Sequence, residues 1–156
     1  MNLPACFDRP ESADGALPLV LVGRDGLAAW RDAQPAAVQA WLRANDFSGQ
    51  PGAPLLVPGT DGQPAFALAS VADAADPLAL AHLPQMLPPG RYRLAEDSPQ
   101  AVDPALAVLG WGLGSYHFGR YLKPSREPAR LVLPADADAD AVAEALAQVE
   151  AAALVR

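Results

Sequence analysis

The sequence is poor in the side chains that most often build catalytic and metal sites. It has one cysteine, Cys6, and two histidines, His82 and His117, among 156 residues. A single cysteine excludes an internal disulfide framework and any cysteine-rich zinc or iron–sulfur site. Neither histidine has a carboxylate or a second histidine beside it in the sequence. We therefore predict no catalytic residue, no metal ligand and no cofactor in this chain.

Long apolar runs and positive charge are also scarce. No apolar stretch approaches the roughly 20 residues that a membrane span needs, and residues 1–10 lack the basic start and apolar centre of a secretory signal. The chain has 11 Lys and Arg against 18 Asp and Glu, a net charge of −7. Such a balance disfavours binding that depends on neutralising phosphates. We expect a cytoplasmic protein with neither a membrane nor a nucleic acid as its partner.

The composition and the order of the elements predict one layered α/β domain. Hydrophobic residues make up 51% of the chain and charged residues 19%, which is typical of globular proteins. Residues 1–16 are polar and rich in turn formers, so we expect a loose N-terminal lead-in before a domain at 17–156. Strands are predicted at 17–22, 55–57, 65–71, 91–95 and 129–133, and helices at 27–33, 36–45, 75–83, 103–122 and 139–155. This alternation favours a mostly parallel sheet flanked by helices, mixed because a hairpin joins the second and third strands.

The turn Gly23-Arg24-Asp25-Gly26 lies between a predicted strand and a predicted helix, where phosphate-binding loops are found. It lacks the third glycine of a dinucleotide fingerprint and the Lys-Ser/Thr pair of a P-loop. We therefore favour a tight turn in which Asp25 caps the helix. The alternative is that Gly23, Arg24, Asp25 and Gly26 bind a small anion.

Asp136, Asp138 and Asp140 alternate with alanine before the last predicted helix. A calcium loop would need glycine and glutamate further on, where this chain has Ala141 and Ala147. Carboxylates at a helix start are stabilised by the exposed N–H groups there, and that interpretation accounts for all three.

The segment Leu109–Lys123 combines helical spacing of apolar residues with several glycines. Each glycine inside a helix costs about 1 kcal/mol relative to alanine, so the helix needs close packing to form. Gly110 and Gly114, four residues apart, predict a smooth face against which another segment packs closely.

A more specific pattern runs through the same segment: Leu109, Gly110, Leu113, Gly114, Tyr116, Phe118 and Tyr121. It resembles the last long helix in the N-terminal domain of the leucine aminopeptidase (cytosol aminopeptidase) family. In that family a polar linker, a short strand like 130–133 and a closing helix come next, as they do here. The resemblance gives these seven residues a role in helix packing.

The resemblance implies a macro-domain-like fold and a two-domain subunit. In the family, the C-terminal domain holds two divalent metals, zinc or manganese, and removes N-terminal residues from peptides; the subunits form hexamers. None of its metal-binding motifs has a counterpart here. The implied protein is a non-catalytic N-terminal domain whose partners are its own catalytic domain and, through that domain, a homo-hexamer and a peptide substrate. The last predicted helix reaches Arg156 without a stop signal, which we interpret as a domain border.

Two other hypotheses stay open. One is a free-standing macro-like module that binds a nucleotide or a similar small anion at 23–26. The other is a nucleic-acid accessory domain that uses a local basic cluster, formed by Arg120, Lys123, Arg126 and Arg130; the overall acidity disfavours it.

Overall fold

The computed structural model describes residues 3–50, 52–117, 128–135 and 137–155. Its strands are β1 (Phe7–Asp8), β2 (Leu17–Val22), β3 (Leu55–Pro58), β4 (Pro64–Ser70), β5 (Arg91–Leu94) and β6 (Arg130–Val132). Its helices are α1 (Leu27–Asp32), α2 (Ala36–Ala44), α3 (Leu83–Met86), α4 (Pro104–His117) and α5 (Ala139–Leu154), with a short 3-10 helix at Pro10–Ala13. The strands form one sheet in the order β1-β6-β5-β2-β4-β3, and only β3 pairs antiparallel within it.

The central strand β2 separates two apolar cores. Leu19 and Leu21 point to a core shared with α4 and α5, whereas Val20 and Val22 point to a smaller core shared with α1 and α2. Successive strand residues face opposite sides of a sheet, so an uninterrupted apolar run suits a strand covered on both faces. The predicted layered α/β fold with a mostly parallel sheet is confirmed.

The N-terminal segment is part of the sheet, and the prediction of a loose lead-in is wrong for it. β1 pairs with β6, and Leu131 and Leu133 donate backbone hydrogen bonds to the carbonyls of Cys6 and Asp8, both at 2.9 Å. Phe7 is 2% exposed. The composition of this segment favours turns. Burial of one aromatic side chain, worth about 2 kcal/mol, and pairing with the edge of β6 stabilise it in the sheet instead.

The helix predicted at 75–83 is also wrong. The described chain there is a series of turns, and α3 begins only at Leu83. The side chains of Asp73 and Asp76 accept hydrogen bonds from the backbone N–H groups of Ala75 and Leu78, both at 2.9 Å. Such local bonds compete with helix formation.

The last helix starts as expected from its acidic residues. Asp138 is the N-cap of α5, and its side chain accepts hydrogen bonds from the N–H groups of Asp140 and Ala141 at 3.0 and 3.3 Å. Asp136, and the predicted extension of α4 over 118–122, lie outside the described residues. None of the described helices is long and apolar enough to cross a membrane.

Candidate functional site

The glycines of α4 lie where the helix meets other backbone. A Cβ atom on Gly110 would be 2.5 Å from the carbonyl oxygen of Pro77, and one on Gly114 would be 1.8 Å from that of Ala81. Real Cβ atoms do not approach this closely. The helix therefore packs directly on the chain at 77–81, with no side chain between them.

A third glycine, Gly112, allows close packing on a different face of α4. A Cβ atom on Gly112 would be 2.5 Å from Val149 Cγ2 of α5 and 3.2 Å from the ring of Phe7. Trp111 beside it is fully buried and donates its indole N–H to the carbonyl of Ala129 at 3.2 Å. α4 thus contacts β1, α5 and the residue that precedes β6.

The other residues of the motif divide between described and undescribed parts of the chain. Leu109 packs against the larger core, and Leu113 is half-buried. Tyr116 falls within α4, but its side chain is outside the described part of the structure, as are Phe118 and Tyr121 altogether.

The 23–26 turn is partly covered by the chain that follows β5. A Cβ atom on Gly23 would be 2.7 Å from Gln100 Oε1, and one on Gly26 would be 3.8 Å from Pro99 Cβ. Arg24 and Asp25 are exposed. The N-cap of α1 is Gly26, and no side chain caps it, so the expected cap by Asp25 is absent.

The same covering segment shapes a cavity at the carboxyl ends of β2, β5 and β6. The cavity measures about 360 Å³ and is lined mainly by apolar side chains, including Leu21, Leu94 and Leu133. The connections from β2 and β5 leave in opposite directions, which makes this the position where ligands bind in many open α/β sheets. Here Gln100 donates its backbone N–H to the carbonyl of Leu21 at 3.0 Å, so the chain itself fills part of that position.

Two side chains have shifted pKa values. Burial lowers the pKa of His82, and a backbone hydrogen bond with Gly52 partly opposes that effect. Its Nε2 is buried with no hydrogen-bond partner among the described residues. Burial raises the pKa of the Cys6 thiol, against smaller lowering effects of Ser115 and Arg130. Neither His82 nor Cys6 lines the cavity at the carboxyl ends of β2, β5 and β6.

The described residues contain no group of three or more His, Cys, Asp or Glu side chains that could hold a metal ion. They therefore do not fit a two-metal centre of the kind that the resemblance places in a catalytic domain.

A second cavity lies between α1 and α2 and escaped the sequence analysis. We call it the α1–α2 pocket; it measures about 550 Å³ and is lined by Arg24, Leu27, Ala28, Arg31, Leu42, Arg43, Asp46, Phe47 and Ser48. Three arginines line this pocket in a chain of net charge −7. Their sequence positions gave no signal, because only the packing of α1 against α2 brings them together.

Comparison with known proteins places this fold in one family. The family model for the N-terminal domain of the M17 aminopeptidases matches residues 17–134. Comparison with curated proteins gave no match.

Solved structures agree with that match. Cytosol aminopeptidase from Coxiella burnetii is similar over 94% of this chain and 31% of its own, with 29% identity and a TM-score of 0.77. BotP, a bottromycin maturation enzyme, is similar over 90% of this chain and 32% of its own, with 27% identity and a TM-score of 0.58. A BotP structure in complex with Mn shows the same fold at 24% identity and a TM-score of 0.56. The chain thus spans about a third of the length of the solved structures that it matches.

Proposed function

The chain belongs to the M17 aminopeptidases as an N-terminal domain of that family, and we propose that it is the non-catalytic part of a metal-dependent leucyl aminopeptidase. The whole enzyme would remove N-terminal amino acids from peptides in the cytoplasm. The observation that carries the proposal is the family match over 17–134, together with the fold similarity to a cytosol aminopeptidase.

The composition of the chain supports a division of labour between two domains. The described residues offer no metal cluster, and their two buried titratable groups with shifted pKa are held in uncharged forms. The metals, zinc or manganese, would be held by a catalytic domain, where they would polarise the scissile carbonyl and activate water. No step of that reaction is assigned to residues of this chain.

The role of this domain would be to pack on its own catalytic domain and to shape substrate access or assembly into a homo-hexamer. The close packing of α4 supports such a role, because Gly110, Gly112 and Gly114 bring three neighbouring segments into direct contact with it.

A peptidase assay on two proteins tests the proposal. The 156-residue chain is incubated with leucine p-nitroanilide and Mn²⁺, beside the full product of the gene that encodes it. We expect release of p-nitroaniline only by the full product, and loss of that release when a chelator is added. Chelator-sensitive release by the 156-residue chain alone, or an inactive full product with metal bound, would contradict the proposal.

The alternative function, a small-anion site at residues 23–26, has less support. Pro99 and Gln100 lie against Gly26 and Gly23, which leaves the exposed Arg24 as the member of that turn that lines a cavity.

A further inference from the structure

We propose that the α1–α2 pocket binds a phosphomonoester, that is, a small molecule with a phosphate group on an apolar body. The proposal holds whether or not the proposed function is correct. Its polar residues are Arg24, Arg31, Arg43 and Asp46.

The position of Arg24 is the first argument. Arg31 and Arg43 lie in the last turns of α1 and α2, where a cation is favoured by the exposed carbonyl groups. Arg24 lies just before the N-cap of α1, the end where a cation is disfavoured. The charge at the helix ends therefore favours Arg31 and Arg43 at their positions and disfavours Arg24 at its position. An anion in the pocket would stabilise all three.

The second argument is that the guanidinium groups of Arg24 and Arg43 have no close carboxylate partner. Among the described residues, no carboxylate lies within 4.0 Å of the guanidinium of Arg24 or Arg43. Arg31 contacts Asp32 at 3.5 Å, but the Asp32 side chain is 72% exposed, and an exposed pair of this kind contributes little.

The shape of the pocket is the third argument. The pocket is lined by Arg24, Ala28 and Arg31, which are spaced as residues on one face of a helix are. The small side chain of Ala28 leaves space between the two arginines. Leu27, Leu42 and Phe47 supply an apolar wall. The pocket, about 550 Å³ in volume and open to solvent at the exposed Arg24, Arg43 and Asp46, combines an apolar wall with a few polar groups, as small-molecule sites do.

Charge selects the class of anion. Three guanidinium groups and the carboxylate of Asp46 leave a net charge of two positive units in the pocket. A phosphomonoester carries about −1.5 to −2 at neutral pH, which matches that charge, whereas a monocarboxylate does not. Guanidinium groups also bind phosphate oxygens through paired hydrogen bonds.

Isothermal titration calorimetry with three probes tests the proposal. Phenyl phosphate and benzoate share an aromatic body and differ in the anion, while inorganic phosphate has the anion alone. We expect phenyl phosphate to bind at least about tenfold more tightly than benzoate, since one charge-assisted hydrogen bond is worth about that factor. We expect the same margin over inorganic phosphate, since burial of part of the aromatic ring contributes a comparable free energy. Arg24→Gln and Arg43→Gln should each weaken phenyl phosphate by about tenfold. Arg93→Gln, which makes the same charge change in the other cavity, should leave the affinity unchanged.

Each other outcome overturns the proposal. Equal binding of phenyl phosphate and inorganic phosphate would mean an adventitious ion only, and tighter binding of benzoate would mean a carboxylate site. If Arg93→Gln weakened the binding of phenyl phosphate as much as Arg24→Gln does, the binding would be a general attraction between opposite charges. Absence of heat with phenyl phosphate at millimolar concentration, in a protein that circular dichroism shows to be folded, would exclude the site.

Discussion

Gly114 lies directly against the carbonyl oxygen of Ala81, so that a Cβ atom on Gly114 would be 1.8 Å from it. The neighbour is backbone and cannot rotate away. Helix propensity alone would favour alanine at this position by about 1 kcal/mol, and the steric conflict reverses that preference.

Gly114→Ala should therefore lower the free energy of unfolding by about 3 kcal/mol, the upper part of the range for overpacked sites. The measurement is urea unfolding followed by circular dichroism. Gly52→Ala is the matched control, because a Cβ atom there would meet nothing closer than 4.0 Å and its φ is not positive. A stable Gly114→Ala variant would contradict the packing of α4 on 77–81.

Gly112 makes a contact that a second substitution can relieve. Gly112→Ala should destabilise the protein, because its Cβ atom would be 2.5 Å from Val149 Cγ2. Val149 is fully buried, and Val149→Ala alone should cost about 2 kcal/mol. In the double variant the new methyl group fills part of the space that valine leaves. A double-mutant cycle should thus give a favourable coupling of about 1 kcal/mol, and strict additivity would place Gly112 away from α5.

His82 makes stability depend on pH in a defined direction. Burial lowers its pKa below the ordinary 6.5, so the unfolded chain takes up a proton before the folded one does. The contribution is therefore complete above about pH 6.5 and is lost as the pH falls from there towards the lower, folded pKa. His82→Gln should flatten the decline in unfolding free energy between about pH 7 and pH 5. An unchanged slope would assign that decline to other groups.

Cys6 should resist alkylation while the protein is folded. It is 3% exposed, and burial raises its pKa above the ordinary 9.0, so both access and thiolate are limited. Labelling by iodoacetamide should follow the urea unfolding curve. Arg130→Gln should speed labelling without urea, because loss of its hydrogen bond to Asp8 opens the β1–β6 edge, and this gain in access outweighs the small further rise in the pKa of Cys6. Fast labelling of the unmodified protein would contradict the position of β1.

Sequence patterns predicted the elements that periodicity or capping determines. The strand at 17–22 and the acidic start of α5 depend on neighbours within a few residues, and the structure confirms both. β1 was missed because a two-residue strand has no period, and its stability comes from Phe7 and from a partner strand more than a hundred positions away. The α1–α2 pocket was missed for the same reason, since Arg24 and Arg43 come together only through tertiary packing.

The pairing of β1 with β6 has a consequence for synthesis on the ribosome. Phe7 leaves the exit tunnel more than a hundred residues before its partner Leu131 does. Contacts this distant in the chain form late and slow folding. The nascent β1 therefore stays unpaired until β6 has been synthesised, with the Phe7 ring and the Cys6 thiol open to chaperones and oxidants until the sheet edge closes.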